Sequence, residues 1–202
     1  MEPEQYQATL EGVLKEEILR MYQEVAENPD GDFHFHHGRD AAERFHYPSE
    51  WLDAVPTGAV ASFGGVGNPH LRAALTPGET VMDLGSGAGL DAILAARQVA
   101  PEGRVLGVEM NPIMMEKAAA HAREAGVAVE WLAGTMEAIP ADDASVDVIL
   151  SNGVINLSFR KRRVMEEMHR VLKPGGRISI TDIVSAKQLS QSIVNDPKLW
   201  AS

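Results

Sequence analysis

The chain has 202 residues, 45% hydrophobic and 23% charged, and its 29 acidic and 18 basic residues leave a formal net charge of −11. This length suits one globular domain with an N-terminal extension, no stretch has the roughly 20 apolar residues that cross a bilayer, and the negative charge disfavours nucleic-acid binding. The absence of cysteine excludes disulfides, cysteine-bound metals and thiol nucleophiles from these residues. The acidic first residues do not resemble a signal peptide, so we expect a cytoplasmic protein that does not bind membranes.

The first third of the chain is predicted to be helical and irregular. Apolar residues spaced three and four apart predict an amphipathic helix over residues 6–26, followed by a turn at residues 28–31. Two short helices are expected, one near residues 40–45 and one over residues 49–55 that begins with Ser49 as its N-cap. The residues between the second of these helices and position 77 show no regular hydrophobic pattern.

From residue 78 onward, short apolar runs alternate with helical patterns. Predicted strands cover residues 80–84, 104–109, 127–132, 146–150 and 177–182, and predicted helices cover residues 90–99, 112–125 and 161–172. This alternation is typical of a parallel, doubly wound sheet. We therefore predict an α/β, Rossmann-like core over residues 60–202, and a helical N-terminal extension over residues 1–59 that can cover the active site.

A glycine-rich turn follows the first predicted strand. Gly85, Gly87 and Gly89 come directly after Asp83 and Leu84 in a G-x-G-x-G spacing. Ligands of doubly wound sheets bind beyond the carboxyl ends of the strands, and glycine lets them approach the main chain closely. The glycine pattern alone has low specificity, so a purely structural turn is the alternative.

Two acidic residues accompany this turn. Glu109 ends the second predicted strand, where a carboxylate accepts hydrogen bonds from both hydroxyls of a ribose. Asp83 precedes the turn, and its carboxylate suits an amine better than a phosphate. The spacing also differs from the G-x-G-x-x-G that binds a pyrophosphate. The pattern therefore favours a cationic aminoacid–nucleoside, with an NAD-dependent oxidoreductase as the less favoured alternative.

Several segments are similar to a known family. VMDLGSGAGLD at 81–91, GVEMNPIM at 107–114 and RVLKPGGR at 170–177 resemble class I S-adenosylmethionine-dependent methyltransferases. More narrowly, SNGVINL at 151–157 and TDIV at 181–184 resemble the arsenite methyltransferases. The resemblance implies S-adenosylmethionine as cofactor and methyl transfer to a small-molecule or metalloid-like acceptor.

The resemblance also implies roles for the matched residues. Asn152 would lie near the methyl group, although it could instead cap the loop that follows it. Met110 and Met136 could instead be core residues. The donor-binding residues that the resemblance implies are Asp83, Gly85, Ser86 and Gly87 for the methionine moiety, Glu109 for the ribose, and Met110, Thr135 and Met136 for the adenine.

The sequence departs from the arsenite methyltransferases at the residues that hold arsenic. The resemblance implies that those enzymes hold arsenic through three cysteine thiolates. Two of the matching positions here are Val66 and Gly153, and the third would follow the terminal Leu-Trp-Ala-Ser. Trivalent arsenic is thiophilic, so we do not expect this chain to hold free arsenite in that way. A catalytically silent homologue or fragment that binds S-adenosylmethionine is therefore the alternative to an enzyme.

The family fold continues into an antiparallel strand pair that we expect these residues to lack. A fragment, a partner that completes the sheet, or a misread stop codon would each account for this. An unpaired edge strand promotes association, so we expect a homodimer or a covering helix.

Histidine and aromatic residues are concentrated at positions 33–37 and 46–47. In one hypothesis they form a lid in which His36 and Tyr47 take part in catalysis, with a histidine as general base. A metal site that includes Asp32 or Glu43 is a second hypothesis, and simple packing of the N-terminal arm is a third. Three further histidines are expected to be exposed to solvent: His70, His121 and His169.

Overall fold

The computed structural model describes residues 12–13, 15–21, 23–24 and 36–187, and its described residues before position 25 are helical. The strands are β1 (Thr80–Leu84), β2 (Arg104–Glu109), β3 (Glu130–Ala133), β4 (Val146–Asn152) and β5 (Leu172–Thr181). The helices from residue 36 onward are α1 (Gly38–Arg44), α2 (Ser49–Asp53), α3 (Thr57–Ala61), α4 (His70–Ala73), α5 (Leu90–Val99), α6 (Pro112–Glu124) and α7 (Lys161–Val171), with a 3-10 turn at Ile155–Leu157. Within these ranges, no helix has both the length and the apolar character needed to span a membrane.

The strands form one parallel sheet in the order β3-β2-β1-β4-β5. Asp83 near the end of β1 lies opposite Gly107 of β2 on one side and Leu150 of β4 on the other. The strand order reverses between β1 and β4, which is where doubly wound sheets bind their ligands. The predicted Rossmann-like parallel sheet is confirmed.

The central strand is buried on both faces. Val81 packs among residues of α5 such as Ala92 and Ala95, whereas Met82 and Leu84 pack on the opposite face in the same cluster as the apolar side of α7. Alternate side chains of a strand point to opposite faces, so one short apolar run serves two layers. This explains why β1 has apolar residues at 81, 82 and 84 instead of a strictly alternating pattern.

The segment before β1 packs onto the same layer as α5. Ala41, Leu52 and Val60 from α1, α2 and α3 form one cluster with Leu90 and Ile93. The predicted boundary between residues 59 and 60 falls inside α3 and stays a prediction.

The structure corrects several predicted boundaries. Pro48, not Ser49, is the N-cap of α2, and no side chain caps this end of the helix. Proline at this position fixes the extended backbone that precedes the first turn, so Ser49 already belongs to the helix. The helices α3 and α4 lie in a region predicted to be irregular, because four or five residues are too few to show helical periodicity.

Two strands also differ from their predicted positions. β3 is displaced by about three residues at its start, and β5 begins at Leu172 instead of position 177. Leu172 pairs with Val146, and after a shift in register Arg177 pairs with Val148. The strand therefore continues through a Pro-Gly-Gly sequence that is typical of a turn. Among the described residues β5 has no strand on its outer side, and the predicted homodimer stays a prediction.

Candidate functional site

The glycine-rich turn connects β1 to α5 at the carboxyl edge of the sheet. Gly85 has a φ of +76°, and a Cβ at this position would lie 2.6 Å from Cγ1 of Val154. Gly87 has a φ of +52°, also in the left-handed region. Only glycine adopts these conformations without strain, so the predicted glycines are required by the path of the backbone.

The backbone N–H groups of this turn are largely used within the protein. Those of Gly85 and Ser86 donate to the carbonyl of Val108 at 2.9 and 3.0 Å. That of Gly87 donates to Oε2 of Glu109 at 2.9 Å. A pyrophosphate is held by such N–H groups, so this turn is poorly suited to a dinucleotide.

Glu109 lies at the end of β2 and faces the turn. Its Oε1 also accepts a hydrogen bond from the N–H of Asn111 at 2.8 Å. Burial raises the pKa of Glu109, while its hydrogen bonds with backbone N–H groups oppose that rise. Each carboxylate oxygen has a second lone pair, so Glu109 can still accept bonds from a ligand's hydroxyls.

A cavity of about 350 Å³ opens beside the turn. Six of the predicted donor-binding residues line it: Gly85, Gly87, Glu109, Met110, Thr135 and Met136. Several other lining residues were not among the predicted site residues: Lys15, Ile18, Val154, Leu157, Phe159 and Arg160. These come from the N-terminal helical segment and from the residues after β4, and only the fold brings them to the same space.

Asp83 lies behind the turn and is only 2% exposed. Its Oδ2, and Oγ of Ser86, are buried without a hydrogen-bond partner in the part of the chain that the structure describes. Burial, followed by the negative charges of Asp91 and Glu109, raises the pKa of Asp83 well above its ordinary value. A buried carboxylate among like charges is costly unless a cation or a donor meets it, so this position is electrostatically prepared for a positively charged ligand.

Asn152, at the end of β4, forms hydrogen bonds with the loop that precedes α4. Its Oδ1 accepts from the N–H groups of Val66 and Gly67 at 2.9 and 3.2 Å, and from the hydroxyl of Thr181 at 2.8 Å. Its Nδ2 lies 3.1 Å from the hydroxyl of Tyr47. Asn152 thus joins the N-terminal segment, the loop and the ends of two strands.

Tyr47 is 3% exposed and donates its hydroxyl hydrogen to Oδ1 of Asp91 at 2.6 Å. Burial and the charge of Asp91 raise the pKa of Tyr47 well above its ordinary value. Tyr47 therefore remains a protonated hydrogen-bond donor near neutral pH.

The prediction that His70 is exposed to solvent was wrong. His70 is 6% exposed, and its Nε2 lies 3.1 Å from Oδ1 of Asp91. His121 is also partly buried, with Nδ1 2.9 Å from the carbonyl of Ala88 in the glycine-rich turn. His169 is exposed, as predicted. The polar partners of His70 and His121 are distant in sequence, so no local pattern could reveal them.

The histidine-rich segment is only partly described. His36 is exposed, and its Nε2 lies 3.0 Å from the guanidinium of Arg44. Neither His36 nor His46 lines the cavity beside the glycine-rich turn, and His34 lies outside the described residues. Among the described residues, no three histidine or acidic side chains gather as a group that could hold a metal ion.

The comparison with known proteins follows the same residues. The matching family model, described as a methyltransferase domain, covers residues 75–202. The chain belongs to the methyltransferase domain family. The match includes the glycine-rich turn, Glu109 and Asn152, so the part of the fold that carries the cavity is the part that the family shares.

Relatives within this methyltransferase family confirm the narrower resemblance. The arsenite methyltransferase of Halobacterium salinarum is 43% identical over 157 residues, which are 77% of this chain and 40% of that protein. The arsenite methyltransferase of Aquipseudomonas alcaligenes is 39% identical over 135 residues, 63% of this chain and 39% of that protein. The chain therefore spans less than half the length of these relatives.

A solved structure of the family gives the same result. An arsenic(III) S-adenosylmethionine methyltransferase from Chlamydomonas reinhardtii matches with a TM-score of 0.68 at 38% identity, over 75% of this chain and 53% of that one. The predicted class I S-adenosylmethionine-dependent methyltransferase fold, similar to the arsenite methyltransferases, is thus confirmed.

Proposed function

We propose that this chain binds S-adenosylmethionine in the cavity beside the glycine-rich turn and transfers its methyl group to a small-molecule acceptor. The observation that carries the proposal is the buried Asp83, whose Oδ2 has no partner among the described residues, directly behind a cavity that Glu109 faces. Buried carboxylates favour a cationic ligand, and the bonded N–H groups of the turn disfavour a pyrophosphate.

The residues present fit this cofactor. Asp83 and Ser86 lie outside the lining of the cavity. Their unpartnered oxygens, in and next to the glycine-rich turn, can accept hydrogen bonds, so these residues would hold the polar end of the methionine moiety. Glu109 would accept from the ribose hydroxyls, and Met110, Thr135 and Met136 would border the adenine. S-adenosylmethionine supplies a methyl group that is already activated by its sulfonium.

With an activated donor, the protein mainly has to align the reactants and exclude water. Val154, Leu157 and Phe159 give the cavity an apolar wall that serves this purpose. Asn152 and Tyr47 then support the site through their hydrogen bonds with each other and with the loop. Catalysis by His36 stays a prediction, because nothing in the described residues brings it to the cavity.

The two positions that match arsenic-binding cysteines are neighbours in this structure. A Cβ on Gly153 would lie 3.3 Å from Cγ1 of Val66. The pair is apolar and offers no soft ligand, and the 202 residues contain no cysteine. We therefore propose an acceptor that this chain does not bind through its own thiolates, such as a small organic nucleophile or a metalloid presented on an external thiol.

Titration calorimetry with S-adenosylmethionine, S-adenosylhomocysteine and NAD tests the donor, and a radiolabelled methyl-transfer panel that includes arsenite with and without glutathione tests the acceptor. We expect S-adenosylmethionine to bind and NAD not to bind. Tighter binding of NAD would contradict the proposal.

Glu109→Ala tests the ribose contact. The lost hydrogen bonds are expected to weaken binding of S-adenosylmethionine by about 1–3 kcal/mol. Glu130→Ala is the matched control, because Glu130 lies on β3 and its side chain is 54% exposed beside Arg104. An unchanged affinity in Glu109→Ala, in a variant with a native circular dichroism spectrum, would count against the assignment.

Donor binding without turnover is the second candidate function. The absence of thiols at Val66 and Gly153 favours it, since the positions that hold the acceptor in similar proteins are unreactive here. Calorimetry that shows donor binding, combined with no methylated product across the panel, would support this candidate over the enzyme.

A further inference from the structure

The loop over residues 64–68 is pressed closely against the ends of β4 and β5. A Cβ on Gly65 would collide with the amide of Asn152, and a Cβ on Gly67 would lie 2.7 Å from Cβ of Thr181. The loop also passes beside Gly153, which directly precedes the cavity residue Val154. The loop therefore lies next to a segment that lines the donor cavity.

The orientation of the Asn152 amide holds this loop. Oδ1 must face the N–H groups of Val66 and Gly67, because an amide nitrogen there would place donor against donor. Nδ2 faces the carbonyl of Gly67 at 2.9 Å and Oδ2 of Asp91 at 3.1 Å. The two ends of an asparagine amide have nearly the same shape, so its surroundings must select the orientation.

Asp91 adds a charged acceptor on the side of the amide nitrogen. Its carboxylate accepts from the hydroxyl of Tyr47 through Oδ1 and from Asn152 through Oδ2. Gln98 lies beyond His70, with its amide nitrogen 2.9 Å from Nδ1. Because that nitrogen can only donate, the hydrogen of the neutral ring is on Nε2 and points to Asp91.

We propose that Asp91 is a positioning residue, which fixes the amide of Asn152 and thereby holds the loop over residues 64–68 in place beside the donor cavity. An ionised carboxylate only accepts hydrogen bonds, so it forces the amide nitrogen toward itself and the amide oxygen toward the loop. The assignment of this loop as the acceptor side of the cavity rests on the proposed methyltransferase function. The direction of the hydrogen bonds between Asp91, Asn152 and the loop does not depend on that function.

Asp91→Asn tests the proposal by changing one acceptor oxygen to a donor nitrogen. The new side chain can still accept from Tyr47 and His70, but its nitrogen then faces the nitrogen of Asn152. We expect the amide hydrogens of Val66 and Gly67 to exchange about 10–100 times faster, as for the loss of a buried hydrogen bond. Exchange is measured by NMR without donor or acceptor.

The reciprocal variant Asp91→Asn/Asn152→Asp restores a donor–acceptor pair between positions 91 and 152. The asparagine at 91 then donates to the carboxylate at 152, which accepts from Val66 and Gly67, while the second oxygen of that carboxylate faces the carbonyl of Gly67. We therefore expect a partial recovery, with both amides better protected than in Asn152→Asp alone. Asn152→Asp alone places two carboxylates together and is expected to lose the protection.

Asp147→Asn is the matched control. Asp147 accepts hydrogen bonds from the N–H of Thr80 and from Lys173, at the opposite edge of the sheet. The Asp147→Asn variant should leave amide exchange at Val66 and Gly67 unchanged.

Amide exchange in Asp91→Asn that stays within twofold of the wild type overturns the proposal. If that variant does not fold, the reciprocal variant decides: protection of Val66 and Gly67 above that in Asn152→Asp supports the proposal, and protection no greater than in Asn152→Asp overturns it.

Calorimetry on the same variants separates this proposal from the proposed function. Asp91 does not line the cavity, but its charge acts on Asp83, so we expect Asp91→Asn to weaken binding of S-adenosylmethionine less than a substitution of Asp83 does. A wild-type protein that binds no S-adenosylmethionine would refute the proposed function. The exchange data would still decide the role of Asp91.

Discussion

Two residues at the proposed donor site carry an energetic cost in the free protein. Asp83 and Ser86 both carry buried oxygens without partners among the described residues. Unsatisfied buried groups destabilise the folded state, and they persist where a ligand satisfies them. The free energy of unfolding and the donor affinity should therefore change in opposite directions when such a group is neutralised.

Asp83→Asn tests this opposition. Burial raises the pKa of Asp83, so the folded state holds a proton that the unfolded state has already released. Stability is therefore present at a pH below the ordinary aspartate pKa and decreases as pH rises toward the higher folded-state pKa. Removing the charge should stabilise the ligand-free protein at neutral pH by on the order of 1 kcal/mol and weaken donor binding at least tenfold.

Urea unfolding of the ligand-free protein between pH 4 and 8, together with calorimetry, measures both effects. The difference in stability between wild type and Asp83→Asn should grow with pH. If the substitution instead destabilises the free protein at neutral pH, Asp83 is a structural residue and the electrostatic account is wrong.

At the scale of helices and strands, the sequence predicted the core of the fold but not its short helices. The alternation after residue 78 predicted the parallel sheet, and the ends of its strands correctly located Asp83, Glu109 and Asn152. The helices α3 and α4 were missed because they are too short to be periodic. Asp91 belongs to the glycine-rich motif, but its hydrogen bonds with Tyr47 and His70 span 44 and 21 residues, so only the tertiary structure reveals them.

Helix α7 is held to the loop after Met136 by hydrogen bonds from two of its own charged side chains, Glu167 and Arg170. Glu167 accepts from the N–H of Ile139 at 2.8 Å and from Arg170, which also donates to the carbonyl of Ile139. The hydrogen bond from Arg170 is the main cause that lowers the pKa of Glu167 from 4.5 to about 2. The carboxylate thus stabilises the fold above its ordinary pKa, and this stabilisation disappears as pH falls from about 4.5 toward 2.

Glu167→Gln is expected to lower the free energy of unfolding at pH 7 by about 1–3 kcal/mol and to flatten the acid limb of the stability profile below pH 5. Glu166→Gln on the same helix is the control, because Glu166 is 50% exposed and its ion pairs lie at the surface. We expect it to change stability by no more than about 0.5 kcal/mol. Equal effects of the two substitutions in urea titrations at pH 3, 5 and 7 would contradict this account.

At the scale of the whole molecule, the N-terminal helical segment contributes to the donor cavity. Lys15 and Ile18 line it, together with residues from the other end of the described chain such as Arg160. The side chain of Asn111, at the start of α6, lies 3.4 Å from the carbonyl of Leu19 and connects this segment to the core. The cavity is thus lined in part by a segment that lies outside the family match over residues 75–202.

Ile18→Ser tests whether this segment contributes to donor binding. Ile18 is 6% exposed, and the loss of its apolar contact with the cavity should weaken binding of S-adenosylmethionine about 5–30-fold. Val13→Ser is the control, because Val13 belongs to the same helical segment but is 47% exposed, and its affinity should stay within twofold of the wild type. Calorimetry measures both variants, and circular dichroism verifies that each keeps its helix content. If both substitutions weaken binding equally, the segment acts through its helical stability, whereas a selective effect of Ile18→Ser shows that its side chain is part of the binding wall.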